Sequence, residues 1–314
     1  MFEGPIKLIE KANKILLFTH KDAGTDGDAL GSVLSLSLAL SRLNKKPQAF
    51  FNEKVASNFS FLPGLEMLDS YIEDGADLLV FLDFSDLKRG NLPWVVKQEI
   101  NEVPVLLIDH HPKGDLFRLS TKKIYDPHAA SVTEILYFLI NELGLVIDKN
   151  IATCLLTGIF TDTNNFQNPN TRLATFEIAS ELLSAGARIE KISKALFFEK
   201  PLPVLKLWGR AMQRLYKSKQ YDLLITFLTE EDFAEYGVNQ EAASGIINFL
   251  SLNLNTNARA ILLLVEGDGK IKGSIRTHRD DIDVSKLAQA LGGGGHKKAA
   301  GFEIEGRLRM ADGK

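Results

Sequence analysis

Short apolar runs that stop at an acid or an imidazole set the rhythm of the first half of the chain. Residues 15–19 read Ile-Leu-Leu-Phe-Thr and run into His20, residues 77–83 place Leu-Leu-Val-Phe-Leu between two aspartates, and residues 104–108 lead into Asp109, His110 and His111. Pro112 then prevents the last run from continuing. Runs of this composition predict buried strands, and residues 48–51 predict a further short one. Apolar positions recur at helical spacing over residues 30–43, 131–143, 150–160 and 172–183, the last stretch closed by Ala185 and Gly186 as a helix stop. Strands alternating with helices predict a mostly parallel sheet flanked by helices, where a site belongs beyond the carboxyl ends of the strands.

The rhythm changes after residue 187. Lysines increase over residues 188–203, and Pro201 and Pro203 interrupt the helical pattern, which places a boundary there. The expected organisation is an N-terminal domain over residues 1–187, a linker over 188–204 and a smaller α/β domain with a mixed sheet over 205–314. In the second domain, residues 221–228, 258–265 and 270–277 predict strands, and 240–252 and 284–291 predict helices. Glu266-Gly267-Asp268-Gly269 is a hairpin signal between the last two strands. A glycine-rich loop, Gly292 to Gly295 followed by His296, is expected to run on to Phe302.

Composition narrows the classes. A chain of 314 residues is long enough for two domains with a core in each, and 45% hydrophobic with 25% charged residues is ordinary for a globular protein. A net charge of -3 argues against an extended basic face for long duplex DNA, while short or single-nucleotide ligands remain open. The single cysteine, Cys154, excludes an intrachain disulfide framework and lies in an apolar run as a packing residue. No apolar run approaches the roughly 20 residues that span a bilayer, and no signal pattern opens the chain, so a cytoplasmic protein without a membrane partner is expected. The last residues, from Arg307, are expected to form a flexible tail. The oligomeric state stays open, a homodimer being one candidate.

The chemistry lies in where the polar residues fall. Asp26 and Asp28 flank Gly27 at the start of a helix, so both carboxylates can turn toward one point; capping of that helix is the alternative reading. Asp162 lies where the polar cluster 161–166 ends a helix, either as a turn former or as a further acid, and Asp86 lies close enough in sequence to pair with Arg89. His20, Asp26, Asp28, Asp83, Asp109, His110, His111 and Asp162 thus all lie at or just past the ends of apolar segments. Carboxylates gathered in this way repel one another unless cations neutralise them. Carboxylates with imidazoles and no thiolate suit Mn²⁺, Mg²⁺ or Fe better than structural zinc. The set exceeds the needs of one ion, and two metals about 3.5–4 Å apart under a shared carboxylate would use it, which points to hydrolysis of a phosphoester. In the second domain the glycine run, His296 and Arg276 on the preceding strand offer a cradle for a phosphate or carboxylate, a plain flexible turn being the other reading of the glycines.

As a set, Asp26-Gly-Asp28-Ala-Leu-Gly-Ser, Asp83, Asp109-His110-His111, Thr161-Asp162-Thr163 and Gly292-Gly-Gly-Gly-His296 resemble the motif series of the DHH phosphoesterases with their DHH-associated C-terminal domain, in the family's order from about residue 14 to residue 304. The compact length resembles the nanoRNase and pAp phosphatase group of that family. The resemblance implies two Mn²⁺ ions, with Mg²⁺ as substitute. His20, Asp26 and Asp83 would hold one ion, and Asp28, Asp83, His110 and Asp162 the other, with Asp83 as the bridge. Asp109 would orient a ligand, and His111 would contact the scissile phosphate or help protonate the leaving oxygen. Arg276 and His296 would hold the substrate's terminal phosphate, with Gly293, Gly294 and Gly295 letting the backbone approach. The implied substrates are short RNA oligonucleotides, linear dinucleotides and pAp; a phosphodiesterase for signalling dinucleotides such as c-di-AMP or pGpG, or a non-catalytic nucleotide sensor, is the alternative. The chain departs from the family between His20 and Asp26, where Lys-Asp-Ala-Gly-Thr adds two residues and omits a proline. Either this loop bulges around Gly24 and His20 still reaches the metal, or Asp22 substitutes for it.

Overall fold

The structure, a computed structural model, describes residues 1–314 except 21–22, 73–74, 91, 94–95, 97–99, 199 and 310–314, with the side chains of 197 and 198 also set aside. It divides into two units, Met1–Glu199 and Lys200–Lys314. Among the described residues no helix is long and apolar enough to cross a membrane.

The first unit is built on six strands, β1 (Lys14–Phe18), β2 (Lys46–Phe50), β3 (Leu68–Asp69), β4 (Leu78–Leu82), β5 (Val105–Asp109) and β6 (Lys122–Tyr125), in the order β3-β2-β1-β4-β5-β6. Every neighbouring pair is parallel. The chain builds outward from β1 to β3, then returns to the other side of β1 with β4. That reversal leaves a crevice at the carboxyl ends of β1 and β4, the place where open α/β sheets bind ligands. Apart from Lys14 and Asp109 at their ends, the central strands β1, β4 and β5 are apolar because both faces are covered. Ile15, Leu17, Val80, Leu82, Leu106 and Ile108 share one core cluster, while Leu16, Phe18, Leu79, Phe81 and Leu107 share another. This alternation is the period of two that a pleated strand imposes.

Among the described residues the α-helices of this unit include α1 (Glu3–Lys11), α2 (Gly27–Arg42), α3 (Leu116–Leu119), α4 (Val132–Glu142), α5 (Lys149–Asp162), α6 (Leu173–Ser184) and α7 (Ile189–Ser193). Small residues let α2 and α5 approach closely: a Cβ on Gly31 would lie 2.5 Å from the Cys154 carbonyl oxygen. Cys154 is fully buried there. The short β3 and the edge strand β6, which begins with two lysines, escaped the apolar pattern.

The second unit holds β7 (Tyr216–Ser218), β8 (Leu223–Leu228), β9 (Ala260–Gly267), β10 (Lys270–Arg276), β11 (Gly294–His296) and β12 (Ala299–Glu305), ordered β11-β12-β10-β9-β8-β7. The sheet is mixed: β8 and β9 are parallel and the other pairs antiparallel. Its helices are α8 (Leu202–Gln213), α9 (Glu230–Tyr236), α10 (Ile246–Asn253) and α11 (Val284–Ala290). Three expectations are corrected here. Pro201 and Pro203 do not interrupt a helix; they open α8, where a missing N–H leaves no hydrogen bond unmade. The helix expected over 240–252 is a 3-10 turn (Gln240–Ala243) followed by α10, separated by Gly245 at φ 89°. The expected glycine-rich loop is largely β11 and β12.

Asp232 ties the second unit together at neutral pH. Its buried carboxylate accepts from Thr229 N at 2.8 Å and pairs with Arg214 and Arg210. Burial alone would raise its pKa, but the Thr229 N–H and the Arg214 guanidinium outweigh burial and hold it below the usual carboxylate value. A depressed folded pKa contributes stability above the unfolded value, and that stability is lost as pH falls through the folded value. Asp232→Asn is therefore expected to lower the unit's Tm at pH 7, with the difference from wild type shrinking as pH falls below about 4. Thermal melts across pH 2.5–7 check this, and a difference independent of pH would contradict it.

Candidate metal centre

Five elements deliver acids and imidazoles to the carboxyl edge of the parallel sheet. His20 follows β1, Asp83 follows β4, and Asp109 closes β5 with His110 and His111 directly after it. Asp26 and Asp28 open α2, and Asp162 is the last residue of α5. Both readings of Asp26 hold at once. Its Oδ1 caps α2 by accepting from Asp28 N at 2.9 Å and Ala29 N at 3.3 Å, while its Oδ2 lies 3.4 Å from His20 Nε2. Asp83 stands at the hub. Its Oδ2 is 3.5 Å from His20 Nε2, and its Oδ1 is 3.7 Å from His110 Nε2 and 3.4 Å from His111 Nδ1. Asp162 Oδ2 lies 3.6 Å from His110 Nε2.

Ligand atoms fall into three groups, each within 4.8 Å: His20, Asp26 and Asp83; Asp83, His110 and His111; and Asp28, His110 and Asp162. Asp83 reaches this position with φ at 66°, a left-handed backbone that non-glycine residues rarely adopt. His20 reaches it although five residues separate it from Asp26: residues 23–25 form one 3-10 turn, and Gly24 is pressed so tightly on the 54–56 segment that a Cβ would lie 2.2 Å from the Lys54 carbonyl oxygen. Asp22 lies outside the described residues.

Burial and crowding govern the charges. Burial, then the charge of Asp83, pushes the Asp28 carboxyl up to about 7 despite the hydrogen bonds it accepts. Burial followed by repulsion from Asp28, Asp26 and Asp83 raises Asp162 well above the ordinary carboxylate range. Burial would lower His20, but Asp26 and Asp83 outweigh it and lift the imidazole to about 10. Asp83 Oδ1 and Asp109 Oδ2 are buried with no hydrogen-bond donor among the described residues. Such a set of oxygens and imidazole nitrogens without a thiolate suits hard or borderline divalent cations.

Asp109 turns away from this set. Its Oδ1 accepts from the backbone N–H groups of His110 and His111, at 2.8 and 3.1 Å, and lies 2.9 Å from His111 Nδ1. The carboxylate locks the Asp-His-His turn and orients the His111 ring. Burial acts to lower the His111 pKa, but Asp109 and Asp83 prevail and raise it. Asp86 caps the 3-10 turn Leu87–Arg89 by accepting from Lys88 N, and no Asp86–Arg89 ion pair forms among the described residues.

In the second unit, Arg276 on β10 and His296 on β11 are both in register with Ala299 on β12. Directly paired residues share a face of the sheet, so the Arg276 and His296 side chains stand on either side of one small residue. Arg276 Nε donates to Asn248 Oδ1 at 3.1 Å. Gly293 and Gly295 are demanded by strand packing: a Cβ would lie 2.1 Å from Gly301 O in the first case and 2.5 Å from Ala300 Cα in the second. Gly294 has open space around it.

Residues 14–159 match the DHH family, N-terminal domain, and residues 220–312 match the DHHA1 domain. The chain is 32% identical over 295 residues to a Thermus thermophilus protein called bifunctional oligoribonuclease and PAP phosphatase NrnA, covering 93% of this chain and 84% of that one. The chain belongs to the DHH phosphoesterase family. A Bacillus subtilis member of the same name is 28% identical over 306 residues, covering 95% of this chain and 92% of that one. An exopolyphosphatase-related protein from Bacteroides fragilis has a similar structure, with a TM-score of 0.89 at 27% identity, covering 98% of this chain and 92% of that one.

Sequence reasoning missed what holds these DHH motifs in place. Asp28 accepts from Val132 N at 2.6 Å and from Thr133 N and Oγ1 at 2.9 and 2.8 Å, so the amino end of α4 fixes a carboxylate more than 100 residues away in sequence. The His110 Nδ1 lies 3.0 Å from Ala129 O. The only local signal was Ser131, which caps α4 by accepting from Glu134 N.

Proposed function

We propose that this DHH hydrolase is a Mn²⁺-dependent phosphoesterase that cleaves very short oligoribonucleotides and linear dinucleotides to mononucleotides and dephosphorylates 3′,5′-bisphosphate nucleotides such as pAp. The observation that carries the reading is Asp83: one carboxylate lies in two ligand groups, with His20 and Asp26 on one side and His110 and His111 on the other. A binding module has no use for a shared carboxylate of that kind. His20, Asp26 and Asp83 would hold one cation, and Asp28, Asp83, His110 and Asp162 a second, with Mg²⁺ as substitute. Cations held here supply Lewis acidity toward phosphoryl oxygens and lower the pKa of a water.

The chain's own residues do the rest. His111, its ring oriented by Asp109 and its pKa raised by Asp109 and Asp83 against the effect of burial, contacts the scissile phosphate or donates to the leaving oxygen. In the DHHA1 unit, Arg276 and His296 take the substrate's terminal phosphate, and the 292–295 backbone admits it. The relatives' names, bifunctional oligoribonuclease and PAP phosphatase, support this substrate class. A panel of pAp, pGpG, c-di-AMP and RNA of two to five nucleotides, with Mn²⁺ or Mg²⁺ and product analysis, tests it. Preference for the cyclic or signalling dinucleotides would favour a dedicated phosphodiesterase, and binding without turnover would favour a sensor.

Two results are expected alongside. Saturating Mn²⁺ at about 100 times its Kd stabilises a folded state by ~2.7 kcal/mol. In a unit of this size that raises Tm by roughly 5–10 °C, and a chelator reverses it. An unmoved Tm would remove the cation sites. Arg276→Ala and His296→Ala are each expected to raise KM for a 5′-phosphorylated dinucleotide roughly 10- to 100-fold, the worth of a hydrogen bond to a charged group, with a smaller change in kcat. Equal KM values for substrates with and without the terminal phosphate in wild type would contradict that role.

A further inference from the structure

The Asp28, His110 and Asp162 group comes from three elements far apart in sequence, yet one backbone segment that supplies no ligand touches or ties all three. Across residues 129–133, Ala129 O accepts from His110 Nδ1 at 3.0 Å, while Val132 N and Thr133 N and Oγ1 donate to Asp28 at 2.6, 2.9 and 2.8 Å. Asn170 closes the third side: its Nδ2 donates to Ala130 O at 3.0 Å and to Asp162 O at 3.2 Å. Both partners are carbonyl oxygens, which only the amide nitrogen can satisfy. The segment is braced from behind by Glu134, whose Oε2 accepts from Ala130 N at 3.3 Å and from Thr175 Oγ1 at 2.9 Å and whose Oε1 pairs with Arg172. Asp26, in contrast, is held by N–H groups of its own helix.

We infer that Thr133 and Asn170 are positioning residues that build one cation site, the Asp28–His110–Asp162 site, and leave the His20–Asp26–Asp83 site intact. The inference rests on the metal-dependent reading above. A proton fixed on His110 Nδ1 by Ala129 O leaves the Nε2 lone pair facing Asp162 and Asp83. Thr133 pins the Asp28 carboxylate against α4, and Asn170 sets how far the end of α5 stands from the 129–130 segment. Loss of either shifts ligands of this site alone.

Calorimetric titration of the full chain with Mn²⁺, read together with electron paramagnetic resonance, tests this. Wild type is expected to take two ions and, at two equivalents, to show the spectrum of an exchange-coupled pair. Thr133→Val and Asn170→Ala are each expected to weaken one site by about tenfold or more and to leave the other within about twofold. The coupled spectrum then gives way to that of isolated Mn²⁺, and Thr133→Ser, which keeps the hydroxyl, restores it. Asn170 is solvent-exposed, so its variant folds and decides the matter even if Thr133→Val does not. Two unchanged sites in Asn170→Ala, or an equal loss at both, would overturn the inference while leaving the metal reading in place. A wild type that takes up no Mn²⁺ would sink the metal reading, and this inference with it.

Discussion

Asp83→Asn is expected to lower kcat/KM for a dinucleotide by about 10³-fold or more and to erase the Mn²⁺-induced rise in Tm, while the protein stays folded. The magnitude follows from position. A shared ligand serves both proposed cation sites, and the several kcal/mol of charge stabilisation they supply convert at about 1.4 kcal/mol per factor of ten. Asparagine keeps the shape of the side chain and tolerates the left-handed backbone at φ 66°, so the fold does not depend on the charge. Asp83→Ala should match it in activity, and His110→Ala should also abolish metal-stimulated turnover. The measurement is steady-state hydrolysis with and without Mn²⁺, beside circular dichroism for the fold. Activity retained in either Asp83 variant would dismantle the centre.

Gly158→Ala is expected to destabilise the protein by roughly 1–3 kcal/mol, the usual effect of overpacking a tight core. For a unit of this size that corresponds to a fall in Tm of roughly 3–10 °C. The sign is informative because the same change in an unobstructed helix stabilises by about 1 kcal/mol. Here the added Cβ would lie 2.3 Å from Thr133 Oγ1 and 2.5 Å from Asp28 Oδ1, inside a buried contact that neither group can leave. Asp28 is held on both oxygens by α4, so it yields only by breaking those hydrogen bonds. The Mn²⁺-dependent part of the Tm should shrink too, since the displaced carboxylate is a proposed ligand. Differential scanning calorimetry with and without Mn²⁺ reads both effects, and a variant as stable as wild type would show that α2 and α5 have room the structure does not give them.

Much of the DHH unit was legible in advance for one reason: a strand buried on both faces has no choice but to be apolar, and its end is marked by the first polar residue. That is why His20, Asp83 and the Asp109-His110-His111 turn stood out. Elements whose surroundings do not force a pattern stayed hidden. β6 lies at a sheet edge with only Ile124 fully buried, and β11 and the first half of β12 are mostly glycine and alanine, which look like a loop until a neighbouring strand pairs with them. The split before α10 turns on the single dihedral of Gly245.

Local chemistry thus singled out the side chains proposed to carry the function, because acids and imidazoles at strand ends have few structural uses. It also pointed to a mostly parallel sheet in the first unit, which the six parallel strands bear out. The resemblance implied a shared Asp83 and an orienting Asp109, but only the tertiary structure decided how the side chains are held: Asp109 Oδ1 against the His111 ring, His110 against the Ala129 carbonyl, and Asp28 gripped by the 132–133 backbone. The reason is physical. Those relations depend on the strand order, which puts β1 and β4 side by side, and on the close crossing of α2 with α5 beneath the amino end of α4. Contacts among segments a hundred residues apart leave no periodicity in the chain that makes them.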